Sequence, residues 1–158
     1  MATTTKTKKK VELPPNPFLH EILELASKQR AKAKKVEILQ QYENDALSTI
    51  FIWNFDETVI SVLPPGEVPF NKNEVPVGTD HTSLRREYKH LYNFVKGGND
   101  GLSGLRRETM FIQMLEGLHP EEAEILCLCK DKKLADKYKI SYDIVKQAYP
   151  DIQWGGRS

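Results

Sequence analysis

Cysteine is nearly absent from this chain: two in 158 residues, Cys127 and Cys129, one residue apart. That spacing cannot close an ordinary disulfide and no third cysteine exists to pair with either, so the sequence predicts a reduced, intracellular protein. Long apolar runs are also missing. None approaches the roughly 20 residues that cross a bilayer. The Thr- and Lys-rich start, Met1 to Lys10, has no apolar segment behind it, which predicts neither a secretory leader nor a membrane role. An excess of charge of one sign is lacking too, with a formal net charge of +1, 28% charged and 39% apolar residues. That balance is ordinary for a soluble domain, so any nucleic-acid reading has to rest on how the charge is distributed.

Signatures of catalysis are missing as well. There is no G-x-x-x-x-G-K-S/T phosphate loop and no G-x-G-x-x-G turn. Lys96-Gly97-Gly98-Asn99-Asp100-Gly101 is glycine-rich, but it follows a predicted helix rather than a strand, which argues against a phosphate cradle. Cys127 and Cys129 with His119 fall short of a zinc site, which needs four ligands in paired spacing, and both cysteines lie on a predicted helix. His20, His81, His90 and His119 have no nucleophile at motif spacing, and Glu121 and Glu122 are accounted for as partners of a helix dipole. The sequence therefore predicts no catalytic residue, no metal, no cofactor and no small-molecule substrate: the chain reads as a non-enzyme.

What the chain does have is helical periodicity. Residues 1–17 form a predicted disordered tail, basic at Lys6, Lys8, Lys9 and Lys10 and then rich in proline (Pro14, Pro15, Pro17). It reads as a solvated leader, with a basic arm along phosphates as the alternative. Residues 18–152 read as a single helical domain, and 153–158 as a frayed end. Phe18 to Ala26 carries apolar residues at helical spacing, and the polar stretch Ser27 to Lys35 is either a connection or the wet face of a continuing helix. Val36, Ile38 and Leu39 resume the apolar stripe.

Asn44 and Asp45 cap the next helix, with Ala46, Leu47, Ile50, Phe51 and Trp53 in its body. Thr58 to Leu63 is β-branched and suits a short extended segment. Pro64-Pro65-Gly66 closes it, and a long loop follows from Val68 to His81. Ser83 is placed to cap a helix through Lys96, with Leu84, Tyr88, Leu91, Tyr92 and Val95 inward. Gly97-Gly98-Asn99 stops it. Leu102 to Leu118 should form another helix, with Leu105, Met110, Phe111, Met114 and Leu115 inward. Pro120 opens the next, followed by Glu121 and Glu122 against its positive end. Ser141 caps the last, through Ala148. The fold class expected is all-α, a compact multi-helix domain with one short extended segment near 58–63.

The order of these segments resembles a known family. Leu19-His20-Glu21-Ile22-Leu23-Glu24-Leu25-Ala26, a Lys-rich connection, Val36-Glu37-Ile38-Leu39 and Asn44-Asp45-Ala46-Leu47 are similar to the start of the N-terminal helical domain of phage ATP-dependent DNA ligases. The likeness returns at Leu105-Arg106-Arg107-Glu108, at Met114 to Leu118, and at Val145 to Ile152. A closer likeness is to a group of uncharacterised small proteins of T4-like marine bacteriophages, carried by Phe94-Val95-Lys96-Gly97-Gly98-Asn99 and Glu116 to Glu124. The ligase resemblance implies a domain that grips duplex DNA across the minor groove by its backbone. It does not imply ligation, because no lysine here has Asp and Gly at the offsets of the K-x-D-G nucleotidyl-transfer motif. One departure is His119-Pro120-Glu121-Glu122, where ligases place a glycine-containing turn: two carboxylates would repel a phosphate from that helix start.

The function expected is therefore a phage accessory protein, in the host cytoplasm, that binds duplex DNA, including nicked DNA, during replication, repair or recombination. Its expected contacts are Lys28, Arg30, Lys32, Lys34 and Lys35 in the first connection, with Lys96 and Asn99 in the second, all to the DNA backbone. An alternative is a protein–protein adaptor that kept the fold and binds a replication or transcription component through Glu121, Glu122, Glu124 and the 64–81 loop. A minor virion component is a third reading.

Overall fold

A computed structural model of the chain describes residues 13–73 and 82–155. The predicted tail through residue 12, the loop residues 74–81 and the last three residues lie outside the described part. Among the described residues the chain is helical, with two isolated backbone bridges and no strand. No helix here is long and apolar enough to cross a membrane.

The helices are α1 (Leu19–Ser27), α2 (Lys32–Gln41), α3 (Asp45–Phe55), α4 (Leu84–Glu87) continuing as a 3-10 helix (Tyr88–Phe94), α5 (Gly104–Gly117), α6 (Pro120–Lys130), α7 (Leu134–Lys137) and α8 (Tyr142–Ala148). The polar stretch after α1 divides: the helix stops at Ser27, residues 28–31 connect, and Lys32 to Lys35 form the first turn of α2. Asn44 caps α3 as expected, its side chain accepting the Leu47 N–H at 2.9 Å.

α6 is the central helix. It packs on α1, α3, α5 and α7, and Ala123, Ile125, Leu126 and Cys129 along it are fully buried. A helix enclosed on several sides is apolar around most of its circumference. α2 lies apart from it, between α1 and α8. There Tyr149 is buried and its hydroxyl donates to the Leu39 carbonyl at 2.8 Å.

Several expectations are corrected. The helix expected from Ser83 through Lys96 is α-helical for only one turn and then tightens to 3-10. In a 3-10 helix residues three apart eclipse, so Tyr88, Leu91 and Phe94 turn inward together while Tyr92 is 52% exposed. Ser83 also makes no side-chain cap; that work falls to Glu122, described below. Leu105, expected inward, is 79% exposed. α5 buries Arg107, Phe111 and Leu115 at four-residue steps, and at about 100° per residue Leu105 stands roughly 200° away from Arg107.

The segment near 58–63 is extended and pairs through two backbone bonds, Val62 N–H to Phe94 O and Lys96 N–H to Ile60 O. It makes an isolated bridge at Ser61 and Val95, not a strand. The chain end, expected to fray from residue 153, is held through 155. Trp154 packs edge-on against Tyr142 with ring centres 5.1 Å apart, and the Gly155 N–H donates to Asp56 Oδ2 at 2.7 Å.

Candidate functional site

Of the seven residues expected to touch DNA, five lie on the turn before α2 and on its first turn. Lys28, Arg30, Lys32 and Lys34 are exposed. Lys32 pairs with Asp143 on α8, and Lys34 with Glu37 at 3.7 Å, all four side chains being about half exposed or more. Lys32 draws the Asp143 carboxyl below its usual range by a hydrogen bond and by its charge. Surface pairs of this kind contribute little, about 0–1 kcal/mol, so both lysines can exchange partners.

Lys35 is different. It is 8% exposed and its ammonium donates to the Lys139 carbonyl at 2.6 Å, tying α2 to the chain before α8.

The start of α2 has an unusual charge arrangement. Its N-cap is Ala31, which has no side chain to accept a hydrogen bond, and its first turn holds no acid. Lysines at the positive end of a helix dipole are unfavourably placed unless an anion joins them.

Lys96 and Asn99 sit elsewhere, in the loop between the 3-10 helix and α5. Lys96 is exposed. Asn99 is committed to the loop: its Nδ2 donates to Asn93 Oδ1 at 2.9 Å and its carbonyl accepts from Arg107. Arg107 is the centre of this loop. It is 9% exposed, and its guanidinium donates to the carbonyls of Asn93 (2.9 Å), Asn99 (2.9 Å) and Leu102 (3.1 Å).

The glycines suit this clasp. Gly97 has φ +87°, and a Cβ on Gly98 would collide with the Tyr92 carbonyl. The Lys-Gly-Gly-Asn wording thus describes a loop wrapped on a buried arginine, and the signal for it was Arg107 itself, in the Leu105 to Glu108 motif.

A second cluster gathers where α1, α4 and α6 all begin. Glu122 is fully buried, and its carboxylate accepts the N–H of Leu19 at 2.7 Å and of Leu84 at 2.9 Å. One side chain in the first turn of α6 therefore caps two other helices. Burial pushes its carboxyl above the usual range, against the pull of the two N–H donors. The second glutamate of the acidic turn is thus internal: the amides converging from the starts of α1 and α4 are already occupied by the protein's own carboxylate.

Beside it the His20 and His119 rings stack with centres 4.6 Å apart and planes 27° apart, and Phe18 lies against both. His20 Nε2 is 3.3 Å from Glu121 Oε1, while His119 Nδ1 accepts the Glu121 N–H at 3.1 Å. Burial, the largest influence, lowers the His20 pKa from its ordinary value. A donor atom from each of His20, His119 and Glu121 lies within 4.8 Å of the other two. The sequence hid this set, because His20 is 99 positions from His119 and nothing in spacing links α1 to α6.

Cys127 and Cys129 do not join these groups. Burial raises the Cys127 thiol to about 11, and the fully buried Cys129 thiol is raised further and donates to the Ile50 carbonyl at 3.5 Å.

Residues 22–136 match a family described as a family of unknown function, DUF6433, and the chain belongs to that family. No curated protein and no solved structure matches the chain.

Proposed function

We propose that this DUF6433 member is a non-enzymatic accessory protein that binds duplex DNA by its phosphate backbone, with the start of α2 as the main contact. The observation that carries the reading is local: four exposed cations, Lys28, Arg30, Lys32 and Lys34, surround a helix N-terminus that no side chain caps. Free amides and lysines together favour a phosphate. The carboxylates now paired with Lys32 and Lys34 are solvent-exposed and held weakly enough to be displaced. Lys96 adds a cation at a second point.

Lys35 and Asn99 drop from the contact set, since both are spent on internal hydrogen bonds. The resemblance in segment order to phage ligase N-terminal domains supports the same reading and sets its context as phage replication, repair or recombination in the host cytoplasm. The start of α6 is not part of this grip, because its Glu122 carboxylate is turned inward onto the first amides of α1 and α4.

The test is a titration of nicked and intact duplex at about 50 mM salt, where phosphate-driven association is strong. Binding that Lys32→Glu with Lys34→Glu weakens, without loss of fold, is the expected result. Failure of both duplexes to bind overturns the reading.

One observation favours an adaptor as the second reading. An open groove of about 830 Å³ runs between residues 66–72 and α6, with Glu121, Glu124, Asp131 and Glu67 beside the apolar Val68 and Phe70. A pull-down from infected cells that recovers a replication or transcription protein, lost on Glu124→Lys, would favour it over DNA.

A further inference from the structure

The ring pair at the start of α6 holds a polar group that the fold does not use. His20 is 5% exposed, in the first turn of α1, and its Nδ1 has no hydrogen-bond partner among the described residues. A buried ring nitrogen left without a partner is costly, and it is unusual unless something else engages the ring.

A second observation points to what that is. His20 Nε2 stands 3.3 Å from Glu121 Oε1 and its ring stacks on that of His119 with centres 4.6 Å apart, so two imidazoles and a carboxylate meet at one point.

We propose that His20, His119 and Glu121 form a binding site for a divalent first-row transition ion, with zinc as the reference occupant. Two imidazoles and one carboxylate are the donor set such ions take, and not one for magnesium or calcium, which prefer oxygen. Donors about 2.1 Å from a tetrahedral zinc stand about 3.4 Å apart. Here they lie within 4.8 Å, so closing on an ion needs rotamer adjustment and no movement of the helices. Three protein ligands leave a further position for water or for a group of a partner. Glu21, Glu24 and Glu122 nearby offset the positive end of the α6 dipole, which by itself would disfavour a cation. The ion would join α1 to α6.

Loading has a structural consequence at His119. Its Nδ1 now accepts the Glu121 N–H. An ion held at Nε2 requires the ring's proton on Nδ1, so that cap opens when the site fills.

The experiment is calorimetric titration of Zn²⁺ into the full-length chain after chelator treatment, with backbone amide spectra recorded in parallel. The expected result is one ion per chain with a micromolar or tighter Kd and a shifted Glu121 amide. Each of Glu121→Gln and His20→Asn should weaken binding by at least about tenfold. Glu121 is half exposed, so its variant keeps the fold even where His20→Asn does not. No binding at all overturns the proposal, and so does binding that Glu121→Gln leaves unchanged, since the ion would then sit elsewhere. Neither result bears on DNA binding at α2.

Discussion

Removing the Glu122 carboxylate should be among the most damaging single changes in the chain. Glu122 is fully buried and accepts the first N–H of α1 and of α4. Hydrogen bonds to a charged group are each worth about 1.5–3 kcal/mol, and a buried donor left without a partner costs its full desolvation penalty. Glu122→Ala strands both N–H groups and leaves a cavity, for a loss of about 3–5 kcal/mol. Glu122→Gln keeps one carbonyl oxygen for one of them and turns an N–H₂ toward the other, for about 2–3 kcal/mol. Typical domains have about 5–15 kcal/mol in all, so the alanine variant should be marginal. The assay is equilibrium urea unfolding followed by tryptophan fluorescence, with the exposed Glu124→Gln as control. If both Glu122 variants unfold within about 1 kcal/mol of the parent, the capping account is wrong.

The other predictions are smaller. Arg107→Lys cannot span three carbonyls with a point ammonium; it should cost about 2 kcal/mol and speed amide exchange at residues 97–102, and unchanged exchange would remove Arg107 as the clasp. Lys130 is 4% exposed and donates to the carbonyls of Pro64 and Gly66. Lys130→Met should release that loop and open it to limited proteolysis near residues 64–67 while the helix content holds. Burial disfavours the Cys127 thiolate and places its pKa at about 11. Its alkylation should therefore rise with pH toward that value, and at pH 8 run roughly 200-fold slower than a free thiol of pKa about 8.5. Labelling at the free-thiol rate in the folded chain would contradict the burial.

Much of the helical layout is legible in local chemistry. Asn44, Ser103 and Ser141 each accept a backbone N–H at the start of a helix, and Pro120 opens α6. Those signals act within three residues, which is why they can be read in order along a chain. Periodicity misled where the period itself changed. The run from Leu84 to Val95 fits a 3.6-residue stripe on paper, but the 3-10 geometry selects Leu91 and Phe94 and turns Tyr92 out. The short α7 carries no side-chain cap and is too short for a stripe, so nothing in the local sequence marks it.

The candidate sites divide in the same way. The basic run from Lys28 to Lys34 is visible because its charges are adjacent, and the structure leaves those four exposed. That Lys35 in the same run is spent on Lys139, 104 positions away, depends on packing. Glu121 and Glu122 look alike in sequence as dipole partners. Their separate fates, one beside the histidines and one buried between Leu19 and Leu84, depend on where α1 and α4 arrive.

The central claim is phosphate contact at the start of α2, and the salt dependence of duplex binding tests it most directly. The four cations at the start of α2, neutralising four phosphates, contribute about −3.6 to the slope of log K against log salt. Replacing Lys28 and Arg30 by alanine should make the slope shallower by about 1.8 and weaken binding to nicked and intact duplex alike. A slope that those substitutions leave unchanged would place the DNA contact elsewhere and contradict the account.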